Sequence, residues 1–239
     1  MTQFKNVLIT GAYGGLGSAL AAAYVDSGYN LCLLGRDKNK LEKLEKDLKK
    51  ENESVTIKTY CCDLNDNDKI FDVCESIKKD FDHIHVIVNC AGIFPVTSLE
   101  KTSTSDFSKC MQINVAAPFF IIRSFVERMK KAKNGKIINI ASSSAYGGAP
   151  NTSLYCASKH ALLGMSRSLF KELKPHGIRV FCVSPGSIQT PMGEEVEKLG
   201  QLYDTFMSPK EVADYIVSST SFEGNMISEE IRLNRMYVQ

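Results

Sequence analysis

Tyr155 and Lys159, in the stretch LYCASKHALLGMS, have the types and spacing of an acid/base couple. A phenol with an ordinary pKa near 10 is a poor base at neutral pH. Residues four apart on a helix share a face. An ammonium at 159 can therefore sit near the phenolic oxygen, favour phenolate and lower the phenol's pKa. That would suit Tyr155 to proton transfer with a bound molecule. Spacing alone does not decide it: with nine tyrosines and 22 lysines in 239 residues, one Tyr-x-x-x-Lys pair is no more than chance supplies. The bland alternative is a ring that packs and an ammonium that is solvated.

A second stretch, TGAYGGLGSAL, places Gly11, Gly15 and Gly17 between an apolar run and a helical pattern. Glycines let backbone approach a pyrophosphate, and a helix N-terminus offers unpaired N–H groups and a positive dipole end. The spacing is G-x-x-x-G-x-G rather than the common G-x-G-x-x-G. Further on, LLGRDK has Gly35 where an acid would hold an adenosine ribose hydroxyl, followed by Arg36. A guanidinium there suits a 2′-phosphate, so NADP(H) is expected in preference to NAD(H). Asp37 is either a ribose ligand or a helix cap.

These residues need a frame. Apolar runs at 6–10, 30–34, 54–62, 83–91, 136–142 and 178–184 suit strands of a parallel sheet buried on both faces. Between them, 38–50 has Leu41, Leu44 and Leu48 as one stripe and Glu42/Lys46 at i,i+4, and 153–174 forms a long helix ending near Pro175 and Gly177. Repeated strand–helix alternation implies right-handed βαβ units. The expected fold is α/β, a single-domain, Rossmann-type, doubly wound parallel sheet of about seven strands with helices on both faces. The irregular 187–208 stretch should lie over the carboxyl edge, where such folds bind ligands.

Hydrophobic content of 44%, charge of 23% and net charge of +2 give no reason to expect nucleic acid or an anionic membrane. No C-x-x-C occurs among the eight cysteines, so neither a metal site nor a disulfide framework is expected. No signal peptide and no run of about 18 apolar residues is visible. A soluble cytoplasmic protein is the expectation.

The motifs also fall in an order. TGAYGGLG (10–17), CDL (62–64), NCAG (89–92), IN (113–114), INIASS (138–143), YCASK (155–159) and PGSIQT (185–190) resemble the short-chain dehydrogenase/reductase family over nearly the whole chain. The resemblance implies an oxidoreductase that moves hydride between a nicotinamide and a small ketone or alcohol. It implies a catalytic set of Asn114, Ser142, Tyr155 and Lys159, with Ser143 and Ser144 as the fallback for Ser142. Tyr155 would be general acid in reduction and general base in oxidation, and Ser142 would hydrogen-bond the substrate oxygen. Lys159 would also hold the nicotinamide ribose, and Asn114 a water linking Lys159 to solvent. The cofactor would be held by Gly11, Tyr13, Gly15, Leu16, Gly17, Arg36, Asp63, Leu64, Asn89, Ala91, Gly92, Tyr155, Lys159, Pro185, Gly186, Ile188 and Thr190. Within that set, Asp63 would meet the adenine amine, and Asn89, Ala91 and Gly92 would wall the adenosine ribose. Pro185, Gly186, Ile188 and Thr190 would hold the carboxamide. Cys156 is expected to pack, and His160 to be structural or exposed.

A homodimer or homotetramer is expected, although the chain end EEIRLNRMYVQ lacks the glycine-rich finish of many relatives. It should form a last strand that buries Ile231, Leu233 and Met236. Met192, Val196, Leu199, Tyr203 and Phe206 would be the apolar content of a short substrate loop. Two other functions fit the same motifs: a 3-oxoacyl-[acyl-carrier-protein] reductase and a non-catalytic NADP(H)-binding sensor. The former would dock an acidic protein through a basic patch such as Arg123, Arg128, Lys130, Lys131 and Lys133.

Overall fold

The structure, a computed structural model, describes residues 5–236. Seven strands form one parallel sheet in the order β3-β2-β1-β4-β5-β6-β7. They are β1 (Asn6–Thr10), β2 (Asn30–Gly35), β3 (Ile57–Cys61), β4 (Val86–Asn89), β5 (Gly135–Ile140), β6 (Ile178–Pro185) and β7 (Glu230–Leu233). The chain reverses direction of travel across the sheet between β1 and β4, so a crevice opens at their carboxyl ends. Eight α-helices complete the fold: α1 (Gly15–Asp26), α2 (Lys38–Glu51), α3 (Asn67–Asp80), α4 (Thr104–Met111), α5 (Ala117–Ala132), α6 (Ser153–Leu173), α7 (Pro191–Glu197) and α8 (Pro209–Ser221). Helices α1, α2 and α8 share one core with the sheet; α3, α5 and the distal half of α6 share the core on the other face.

Strands β4 and β5 are buried from end to end, and β1 and β2 are buried but for their first residues, Asn6 and Asn30, as their apolar runs predict. Two strands are shorter than expected, for local reasons. Strand β3 starts only at Ile57, because Asn52 accepts hydrogen bonds from the Ser54 backbone and hydroxyl and turns the chain. Strand β4 loses its flanks because His85 Nδ1 accepts from the Asn6 backbone, while the N–H groups of Cys90 and Ala91 bond Thr10 Oγ1.

Helix α2 is capped by Asp37, whose carboxylate accepts from Lys40 N at 3.1 Å. Its ion pairs are Lys38–Glu42, Glu45–Lys49 and Asp47–Lys50, with Lys40 to the cap Asp37, rather than Glu42/Lys46. Near the chain end Ile231 is buried and Leu233 half-buried, but Met236 is 85% exposed, three residues past the last ladder pair. Residues 237–239 lie outside the described ones. Among the described residues no helix is long and apolar enough to cross a membrane.

Candidate active site

The glycine-rich turn after β1 closes on itself, with Gly14 N donating to Gly11 O at 2.9 Å. Gly11 has φ +64, and a side chain there would also strike the Ala91 backbone at 2.8 Å. The turn delivers α1 with Gly14 as its N-cap, no side-chain cap and no acid in the first turn. Its first N–H groups face the crevice without protein partners, a ready cradle for phosphate.

A cleft of about 450 Å³ runs from this helix end in both directions. Toward β2 and β3 it is lined by Tyr13, Gly35, Arg36, Asp63 and Leu64. Gly35 is required by packing: a Cβ there would fall 2.5 Å from the Tyr13 ring, on which Lys40 also sits at 5.6 Å. Arg36 is exposed, and among the described residues its guanidinium makes no hydrogen bond or ion pair. Asp63 accepts from Asn65 N at 3.0 Å.

Toward β5 and β6 the cleft meets Ser142, Tyr155 and Lys159. Helix α6 places the last two one turn apart, both buried, with Lys159 Nζ 5.5 Å from the Tyr155 ring centre. Lys159 Nζ donates to Ile140 O at 2.9 Å and has no carboxylate partner. Burial pushes it down to about 8, against the opposing pull of the nearby thiols of Cys90, Cys182 and Cys110. Burial also pushes the Tyr155 phenol up to about 12, opposed by the nearby Ser142 hydroxyl. The expected lowering, by Lys159 together with the charge of an oxidised nicotinamide, has to work against this desolvation. Of the three serines, Ser142 is the one near enough to the phenol to oppose its rise, and its Oγ accepts from Ser144 N at 3.1 Å.

Asn114 is fully buried and does not line the cleft. It sits in a π-helical turn, Gln112–Ala116, between α4 and α5. Its Oδ1 accepts from Ile93 N at 2.9 Å, and its Nδ2 donates to Ile93 O and Ser158 Oγ, each at 3.0 Å. Ser158 in turn donates to Tyr155 O at 2.7 Å. The side chain therefore braces the cleft wall and α6, with its hydrogen bonds going to protein. Asn89 likewise points into the sheet, donating to Asn139 at 2.8 Å, so it is not part of the cleft wall. Ala91 and Gly92 are.

Pro185, Gly186, Ile188 and Thr190 all border the cleft after β6. The Thr190 hydroxyl is used to cap α7, accepting from Gly193 N at 3.1 Å. Beyond it Met192, Val196 and Leu199 face the cleft; Tyr203 and Phe206 pack on each other beneath the segment instead. Gln201 was not anticipated: its Oε1 accepts from Ser187 (2.8 Å) and from Arg235 (2.9 Å). Nor was Phe94, whose ring meets Tyr155 edge-on at 4.6 Å. No spacing rule connects position 94 to 155 or 235 to 201; a lone apolar residue or arginine in a loop carries no periodic signal. Cys156 is buried against Thr152 Oγ1, and His160 is exposed, bonding Cys156 O.

A family profile described as short chain dehydrogenase matches residues 5–199. The chain belongs to that family. As a short-chain dehydrogenase/reductase it is an NAD(P)-dependent oxidoreductase. It is 31% identical to a 3-oxoacyl-[acyl-carrier-protein] reductase of Thermotoga maritima, covering 95% of this chain and 94% of that one. An uncharacterized oxidoreductase of the same organism is 36% identical over 79% of this chain and 73% of its own. Among solved structures, ElxO with NADP bound is 28% identical and covers 97% of this chain and 98% of its own, with a TM-score of 0.86. A metagenomic short-chain oxidoreductase in complex with NADP is 25% identical and covers 98% of both chains, with a TM-score of 0.85.

Proposed function

We propose that this enzyme is an NADP(H)-dependent carbonyl reductase, running in reverse as an alcohol dehydrogenase, with a small ketone or alcohol as substrate. The observation that carries this reading is the joining, in one cleft, of an unpaired Arg36 at one end and the Ser142–Tyr155–Lys159 cluster at the other. Two solved relatives described as NADP complexes support the cofactor. The fit rests on this chain: an uncapped helix end for the pyrophosphate, Arg36 for the 2′-phosphate and Lys159 for ribose hydroxyls. Residues 187–208 act as a short lid over the substrate.

When bound, the cofactor supplies the hydride and, oxidised, a positive charge. The rest falls to the protein. Ser142 donates a hydrogen bond to the substrate oxygen and stabilises the charge that develops there. Tyr155 gives that oxygen its proton in reduction and removes it in oxidation. Its high pKa suits the acid role, and positive charge beside it lowers the pKa toward what the base role needs. Lys159, near its own titration at neutral pH, contributes that charge while ammonium. Asn114 and Ser158 act as positioning residues that hold the Tyr155 turn and the Ile93 wall.

The relatives named 3-oxoacyl-[acyl-carrier-protein] reductase favour a second reading with the same chemistry. Of the basic patch expected for it, Arg123, Arg128, Lys130 and Lys131 already have partners within the protein. Arg128 is taken by the carbonyls of Lys78, Phe81 and Asp82, and Arg123 lies over the Phe71 and Phe120 rings. Lys130 and Lys131 pair with Glu172 and Glu127, at the end of α5 that leads to the amino edge of the sheet.

The test is NADPH and NADH consumption measured side by side over ketones, aldehydes and oxoesters. Turnover with NADPH preferred is expected. Tight NADPH binding without turnover across the panel would return the non-catalytic sensor.

A further inference from the structure

The lining of the cleft is nearly free of charge. Among the described residues only Arg36, Asp63 and Lys159 carry charge there. The first two stand at the ends of β2 and β3, on the far side of the α1 terminus from Tyr155. Around Tyr155 the wall is instead Phe94, Ala149, Met192, Val196 and Leu199.

The polar side chains at this end, Ser142, Ser143, Ser144, Thr152, Ser187 and Gln201, are all uncharged. Thr152 donates to Ala149 O at 2.7 Å. Gln201 already accepts from Ser187 and Arg235 through its carbonyl oxygen. A carboxylate or phosphate held here would find no guanidinium and no ammonium other than the one beside the reacting centre.

The outer surface of α7 sharpens this. Glu194, Glu195 and Glu197 are exposed on that short helix, and the following Lys198 is paired to Glu195 at 2.6 Å. The outer face of α7, beside the cleft, is therefore acidic, and an anion or acidic protein surface approaching over it meets like charge.

Resting on the reductase reading, we propose that the substrate is a free, uncharged ketone with an apolar aryl or branched-alkyl substituent. Oxo acids and acyl groups tethered to an acidic carrier are poor substrates. The substituent lies against Phe94, Met192, Val196 and Leu199. Selectivity has two sources: burying an unpaired anion is costly, and Glu194, Glu195 and Glu197 repel it before it enters. The reaction balances as in the parent proposal: hydride to the carbonyl carbon, proton from Tyr155 to its oxygen.

The test is a set of matched pairs assayed by NADPH oxidation with the purified full chain. 4-Methylacetophenone is compared with 4-acetylbenzoate, and ethyl 3-oxobutanoate with 3-oxobutyryl carried on an acyl-carrier protein. The neutral member should win in kcat/KM by at least about 30-fold, because the buried charge has no partner. Leu199→Arg, which puts a cation on the apolar wall, should shrink the first ratio by about tenfold through its effect on the anion.

A ratio near one, or a preference for the acid or the carrier-bound group, overturns this proposal while leaving the reductase reading intact. Consumption of no carbonyl at all overturns both.

Discussion

Two buried lysines sit near opposite ends of β5. Lys136, 5% exposed at its amino end, donates to Glu223 at 3.0 Å and to Ser221 O. Lys159, 4% exposed, reaches the carboxyl end and meets only Ile140 O. The arginines repeat the contrast. Arg179, one strand from Lys136, is saturated by the carbonyls of Met226, Glu223 and Gly224. Arg36 at the carboxyl edge has no protein partner among the described residues. Burial opposes charge on both lysines, and a nearby carboxylate offsets it only for Lys136. At the amino pole, charge is consumed in fastening the 221–226 loop to the sheet. At the carboxyl pole it is left for something that binds.

The largest break of this comparison comes from the reacting groups. Tyr155→Phe should lower kcat by about 10²–10⁴-fold, the usual worth of a positioned acid. Cofactor affinity, read by fluorescence titration of NADPH, should change by less than about threefold, because the aryl ring still packs on Phe94. Unchanged turnover would remove Tyr155 from the chemistry. Glu223→Gln at the other pole should leave kcat and KM unaltered.

Arg36 sets the next effect. Arg36→Ala should reduce kcat/KM with NADPH by about 10–100-fold while NADH changes by less than about threefold, since a charge-assisted bidentate contact is worth some 1.5–3 kcal/mol. Equal losses with both cofactors would assign Arg36 to the fold instead.

Stability should divide the lysines by sign. Glu223→Gln leaves Lys136 buried without its counter-charge and should lower stability by on the order of 1–2 kcal/mol, discounted because Glu223 is 56% exposed. Lys159→Met removes a cation that burial disfavours and should raise the thermal midpoint at pH 7, even as activity is lost. The sign with pH follows from the folded value of about 8, below the free lysine's 10.5. Between these values the unfolded chain binds more protons, so the wild type gains stability as pH rises. The variant's advantage, on the order of 2–3 kcal/mol at neutral pH, should fade from about pH 8 toward 10.5. Tyr155 works the other way only above pH 10, where its raised value makes folding lose ground. Melts followed by circular dichroism at pH 7 and 9.5 would show it; a constant difference would refute the account.

The sheet was legible because its runs are β-branched or otherwise apolar for most of their length, and α2 because its stripe is regular. The Tyr155–Lys159 pair was legible through its place in the order of motifs, since its spacing alone is no more than chance supplies. Other parts of the site were not, and for one physical cause: they depend on which atom a side chain meets across the fold. Asn114 and Asn89 stand in the expected motifs, yet both turn their amides into the protein. Thr190 borders the cleft but spends its hydroxyl on a helix cap. The direction of Tyr155's shift depends on how completely α6 is covered, which no short motif records.

Arg235 offers the finest test, because it is a saturated arginine at the pole where charge is otherwise left open. It lies two residues past β7, donates to Thr205 (2.7 Å) and Gln201 (2.9 Å), and lies over the Phe206 ring at 5.1 Å. Gln201 in turn holds Ser187, at the start of the 187–208 segment. One side chain thus ties both ends of the 187–208 segment to the edge of the sheet without touching the cleft. Arg235→Ala should free the segment and raise substrate KM by about three- to fivefold, the loss of one or two partly exposed hydrogen bonds. The expected kcat stays within about twofold, because Tyr155 and Ser142 sit on other elements. Arg235→Lys keeps the charge but not the fork or the stacked plane, so it should recover little. Full recovery by lysine would mean that charge alone holds the lid, and a fall in kcat with KM unchanged would mean that the arginine supports the reacting groups instead.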